Sequence, residues 1–164
     1  MTSTFLTTYT KYNHWANAML MTLIESEVKP DHFAKEIVSS YPSLQKTIYH
    51  IWDAEFIWLR RLNGESLYKW PSQDFKGPIS EVKERMLHIS KEFVYFVEGK
   101  TDEDLSKDFT YQNIEGKTFS NPVWQSVHHC MNHSTYHRGQ AVTMLRQLGV
   151  TKIPPTDFIA FCRV

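Results

Sequence analysis

Four long stretches of this chain repeat their apolar residues at helical intervals, and proline or glycine stands near the boundaries between them. A chain patterned in this way buries its stripes by packing helix against helix. The first stretch runs from about Ser3 to Val28, with Leu6, Tyr9, Trp15, Ala16, Met19, Leu20, Leu23 and Ile24 on one side. The second starts near Pro42 and Ser43, carries Leu44, Ile48, Ile51, Trp58 and Leu62, and ends at Gly64. Proline suits a first helical turn and glycine the position just past the last. The third opens after "GPIS" at Ser80 and closes at Gly99, with Val82, Met86, Ile89, Phe93, Phe96 and Val97 as its stripe. The fourth is expected to open at "SNP", where Ser120 or Asn121 caps and Pro122 takes the first helical position, and to end at Gly149. Four helices of this length predict an all-α domain, a four-helix bundle.

Between the third and fourth stretches, Phe109, Tyr111 and Ile114 precede "EGK" and Thr118 and Phe119 follow it. This pattern predicts a short hairpin or loop over one end of the bundle. The tail holds two prolines and then an apolar patch from Phe158 to Phe161, expected to fold back on the helices. With 164 residues, the chain is read as a single domain, residues 1–164.

Lysine plus arginine equals aspartate plus glutamate, 18 of each. A nucleic-acid binder ordinarily carries a basic excess that answers phosphate, so the balance speaks against DNA or RNA as partner. Two cysteines, Cys130 and Cys162, form no CxxC and no disulfide framework, which suits a reducing compartment. The opening residues lack the basic and then apolar order of a signal peptide, and no apolar run approaches the ~20 residues of a membrane span. A cytoplasmic protein with no membrane partner is expected.

The segment "HHCMNHSTYHRGQ", residues 128–140, holds four of the chain's eight histidines. His133 and His137 are one helical turn apart, so both imidazoles can reach one ion. The stripe they share with Cys130, Ala141, Met144 and Leu148 faces inward. A third donor must come from another helix, and His50 in "TIYHIWDAEFIW" is the best placed. The plain alternative is that all three are core histidines hydrogen-bonded to backbone or carboxylate. The glutamate of HExxH is missing, so a zincin-type protease is not supported. Four residues turn a helix by about 400°, so His129 drifts off the face of the pair and is expected to pack beside it, with His128 at the surface. His14 is expected at the surface or in an interhelical hydrogen bond, and His32 and His88 on loop or helix surfaces.

The chain resembles the DinB-like superfamily of metal-binding four-helix bundles, a group related to bacillithiol S-transferases and mycothiol-dependent enzymes. The resemblance rests on "YNHWAN" (12–17), "YHIWDAEFIWLRRLNG" (49–64), the block 111–140 with its "NHxxxHRGQ" core, and "LRQLGV" with "PPTDFIAF" near the end. It implies an up-down-down-up bundle, a homodimer, and a divalent metal held by His50, His133 and His137. Tyr136 stands where many members carry another histidine.

Three imidazoles leave part of an ion's coordination sphere open, the arrangement of catalytic rather than structural zinc. Imidazole suits zinc and nickel alike, and these are the expected metals. By analogy with the superfamily, the leading expectation is a metal-dependent enzyme, a low-molecular-weight-thiol S-transferase acting on a small-molecule substrate. A metal-dependent hydrolase and a non-catalytic, stress-linked metal-binding protein are the alternatives. Asp53, Glu55 and Gln140 are candidates to orient the ligating rings, and Arg138 to bind an anionic substrate group or to bridge subunits.

Overall fold

The structure is a computed structural model that describes residues 2–65 and 69–163. Helix α1 (Ser3–Glu27) starts where the Thr2 side chain accepts from the Phe5 amide, and Val28 closes it. A single turn, α2 (Pro30–Phe33), follows. Helix α3 (Leu44–Leu62) is capped by Ser43, whose hydroxyl accepts from the Lys46 amide, so Pro42 lies just outside the helix. Helix α4 (Ile79–Glu98) begins at Pro78 with no side-chain cap, which puts Ser80 inside its first turn. After it, Thr101 and Asp104 form a reciprocal capping box on the short α5 (Asp102–Ser106).

The expected hairpin is present as β1 (Asp108–Gln112) and β2 (Thr118–Pro122), antiparallel, with Thr110 opposite Ser120. Asn113 Oδ1 accepts from the Glu115 and Lys117 amides and Gly116 supplies φ +79°, which turns the chain. The hairpin corrects one expectation. Ser120 and Asn121 are ladder residues rather than caps, and helix α6 (Val123–Gln147) starts one residue later than expected, after Pro122. The Val123 amide donates to the Lys107 carbonyl, so the base of the hairpin fixes the helix start.

Contacts between the long helices set their directions. Lys11 pairs with Glu98 and Glu25 with Lys83, so α1 and α4 are antiparallel. Thr47 meets Met144 and Trp58 meets His129, so α3 and α6 are antiparallel as well. Tyr9 lies by His128 and Asn17 by Arg138, which makes α1 and α6 parallel. Directions along the chain therefore run up, down, down, up. One apolar core draws on all four helices, with Leu6, Met21, Ile48, Ile51, Met86, Phe93, Met131 and Leu145 fully buried. Truncating a ring such as Phe93 to alanine in a core of this kind costs about 3–5 kcal/mol.

The tail docks on α1 through α7 (Phe158–Phe161). Phe158 and Phe161 meet Tyr12 edge-on, at 5.2 and 5.9 Å between centroids, and the Tyr12 hydroxyl donates to the Thr156 carbonyl at 2.8 Å. Among the described residues, no helix is long and apolar enough to cross a membrane.

Candidate metal centre

The antiparallel pairing of α3 and α6 brings His50 opposite the His133–His137 turn. The ligand-capable nitrogens of the three rings all lie within 4.8 Å of one another. Ring centroids are 4.7 Å apart for His50 and His133, 4.6 Å for His50 and His137, and 4.4 Å for His133 and His137. His50 Nε2 and His133 Nε2 approach to 2.9 Å. Two imidazole nitrogens on one tetrahedral ion, each ~2.0–2.1 Å from it, stand about 3.3 Å apart. The pair therefore needs to open by only a few tenths of an ångström to share a cation.

Protonation favours ligation. Burial, and then the neighbouring His137, push the His50 imidazole down to about 4. Burial, followed by His137, His50 and His129, pushes His133 down to about 3. Burial also lowers His137, against the opposing effect of its bond to Gln140. All three are neutral near pH 7, which is the form that binds metal.

Gln140 fixes one tautomer. Its Nε2 donates to Ser40 Oγ at 3.1 Å, which turns its Oε1 toward His137 Nδ1 at 2.8 Å. The His137 Nδ1–H is then the donor, and the lone pair is left on Nε2. His133 Nδ1 has no such partner; it is buried without a hydrogen bond. A cluster of neutral rings with unused nitrogens and no carboxylate pairing is what a divalent ion would satisfy, so the residues present fit such a group.

The Tyr41 ring covers one side of the site. It stacks on His50 at 4.3 Å between centroids and meets His137 edge-on at 5.6 Å. Beside it, Tyr41, Lys46, His50, Asp53 and Trp70 line a cleft of about 350 Å³. Tyr41 belongs to the connection between α2 and α3 and shares no helical period with the histidines, so only the aromatic in "SSYP" signalled it.

Other expected roles divide. Gln140 hydrogen-bonds one ring of the cluster, that of His137, whereas Asp53 and Glu55 bond to none of the three. Asp53 accepts from the Ser72 amide at 2.9 Å and its hydroxyl at 2.6 Å, and so ties the α3–α4 connection to α3. Burial is the largest effect on Asp53 and raises its carboxyl. Glu55 is fully buried at the centre of the bundle. Its Oε1 accepts from Asn13, Asn17 and Ser134, and its Oε2 from Ser90, at 2.6–2.9 Å.

Arg138 belongs to this same interior cluster and not to the metal side. It donates to the side-chain carbonyls of Asn13 and Asn17 and to Thr135 Oγ1, with its guanidinium over the Tyr12 ring. Only 3% exposed, its guanidinium is taken up by partners inside the bundle. Two carboxamides thus connect a buried guanidinium to a buried carboxylate. Of Asn13, Asn17, Ser90 and Ser134, only the i, i+4 asparagine pair in "YNHWAN" leaves a signal in the sequence.

Among the remaining histidines, His129 packs edge-on against Trp58 and lies 6.0 Å from His133, beside the centre as expected. His128 is half-buried against Tyr9 rather than at the surface. His14 is half-buried with an unpartnered Nδ1, and burial lowers its imidazole. His88 is exposed, next to Glu92, and His32 sits partly buried in α2.

Comparison with known proteins places this site in context. The model of the DinB family matches residues 1–163. The protein DinB of Bacillus subtilis (strain 168) is 28% identical over 155 residues, covering 90% of this chain and 88% of that one. The crystal structure of a DinB-like protein from Bacillus subtilis superposes with a TM-score of 0.67 at 15% identity, over 93% of this chain and 96% of that chain. One from Bacillus cereus ATCC 10987 gives 0.66 at 19% identity, over 88% and 91%. At these identities the two structures bear on the fold alone.

Proposed function

The chain belongs to the DinB family, and from that premise we propose that it is a divalent-metal-dependent enzyme, a transferase that activates a low-molecular-weight thiol. One observation carries the reading: neutral imidazoles from two helices converge within 4.8 Å, with no carboxylate among them. His50, His133 and His137 would hold the ion, zinc or nickel by the chemistry of the donors. Such an ion supplies Lewis acidity, which deprotonates a bound thiol at neutral pH.

The protein's own part is to position and to shield. Gln140 holds the His137 tautomer, and Tyr41 screens one side of the cluster, so a substrate approaches from the remaining side. The cleft beside His50 has room for a small molecule, and Lys46 and Asp53 in its lining offer it one charge of each sign. The relation to thiol-transferring members of the superfamily supports the choice of reaction over hydrolysis.

The test is elemental analysis of untagged protein, followed by turnover of a thiol with a model electrophile. Near-stoichiometric metal and a rate lost in His133→Ala are expected. Equal rates for wild type and His133→Ala would overturn the reading.

A further inference from the structure

The cleft beside the imidazoles carries charge of both signs, and the period of α3 explains how. Lys46, Tyr49, His50 and Asp53 fall at i, i+3, i+4 and i+7, so one side of the helix presents all four to the cleft. His50 stands between the two charges, whose backbone positions are about 10 Å apart along the helix axis. Ion pairs along a helix join residues three or four apart, and Lys46 and Asp53 are seven apart. Accordingly no ion pair joins them. Among the described residues the Lys46 ammonium has neither an ion-pair nor a hydrogen-bond partner.

Asp53 is only 6% exposed, yet its carboxylate keeps acceptor capacity to spare. The Ser72 amide and hydroxyl take one oxygen each. A carboxylate has about four lone-pair sites, so each oxygen retains one. The two Ser72 donors favour the ionised form, against the burial that raises the carboxyl. The Tyr41, Tyr49 and Trp70 rings are further walls, and aromatic walls beside a carboxylate suit an organic ammonium. The cleft, about 350 Å³, is of a size with small-molecule sites, about 300–1,000 Å³.

Such a lining discriminates by charge. An anionic ligand gains from Lys46 and loses to Asp53, and a cationic one the reverse; a molecule that carries both charges gains from each. We propose that the cleft receives an α-amino acid thiol as its zwitterion, with the carboxylate on Lys46, the ammonium on Asp53 and the sulfur toward the imidazoles between them. This rests on the reading of His50, His133 and His137 as a thiol-binding metal centre, and it names the kind of thiol.

Cobalt(II)-loaded protein tests it, because a thiolate that joins the ion adds a sulfur-to-metal charge-transfer band. The band is titrated with L-cysteine, with its methyl ester, which lacks the carboxylate charge, and with N-acetyl-L-cysteine, which lacks the ammonium. These thiols differ in acidity, so each is compared between protein variants. Lys46→Met is expected to weaken cysteine and N-acetylcysteine by about tenfold and to spare the ester. Asp53→Asn is expected to weaken cysteine and the ester by about tenfold and to spare N-acetylcysteine. Should Asp53→Asn fail to fold, Lys46→Glu takes its place, expected to weaken N-acetylcysteine and tighten the ester. Variants that move all the thiols alike, or none, while the band is present, overturn this inference and leave the metal centre standing. A protein that takes up no cobalt, or shows no band with any thiol, overturns the reading of the centre and this inference with it.

Discussion

Helix α6 carries two buried polar clusters on adjoining faces. His133 and His137 look toward α3, while Ser134 and Arg138, each one residue further on, look toward α1 and Glu55. A step of one residue turns a helix by about 100°, which separates the two sets. The clusters differ in how completely they are satisfied. Around Glu55, both carboxylate oxygens, both asparagine amides and the guanidinium have partners within the protein. Among the imidazoles, Nε2 faces Nε2 and His133 Nδ1 has no partner. Full internal satisfaction marks a group that holds the fold; surplus donor atoms mark a group kept for something from outside.

The sharpest way to break this contrast is to remove one partner from the satisfied cluster. Glu55→Ala strips four hydrogen bonds of their acceptor and leaves the buried Arg138 without the carboxylate that answers its charge. A loss of about 3–5 kcal/mol in urea unfolding is expected. His133→Ala, in the same assay on metal-free protein, should cost far less, because it deletes a ring that had no partner at Nδ1. If the two variants lose equal stability, the division between the clusters fails.

The second effect concerns metal affinity. His50→Ala, His133→Ala or His137→Ala each removes a donor outright, whereas Gln140→Leu removes only the acceptor that holds His137 Nδ1–H. Competition with a chromophoric chelator should show Gln140→Leu weakened by about 10–100-fold and the histidine variants weakened further. Glu55→Gln, by contrast, should leave affinity unchanged. A Gln140→Leu protein that binds as tightly as wild type would detach that amide from the site.

Much of this was legible beforehand, and the limits have physical reasons. The four helices and the trio His50, His133 and His137 follow from period and spacing, and the structure brings those three rings together. Arg138 follows His137 in sequence but not in space, because adjacent helical residues face different partners. Asp53 misled in a related way. It shares a side of α3 with His50, but Ser72 on a loop takes it, and loop positions carry no period. The start of α6 is hidden because Ser-Asn-Pro is a good cap in isolation, while strand pairing with Phe109 and Thr110 claims Asn121 and Ser120. Asn13 and Asn17 needed the knowledge that α1 faces both Glu55 and Arg138, which is a matter of helix pairing and not of local sequence.

The smallest expected effect is a dependence of stability on pH that belongs to the imidazole cluster. His50 and His133 are held at about 4 and about 3 in the folded, metal-free protein, below the ordinary imidazole value of ~6.5. Between those values the unfolded chain binds more protons than the native one, so stability rises with pH there. Their contribution is fully present above about pH 6.5 and is lost as pH falls through 4 and 3. Both rings are partly solvated, so thermal unfolding should show a fall of only a few degrees as pH drops from 6.5 toward 4. The His50→Gln, His133→Gln double variant should flatten that slope, since glutamine does not titrate. A slope that survives the double substitution would assign the dependence elsewhere, with the half-buried His14, whose imidazole burial also lowers, as the next group to replace.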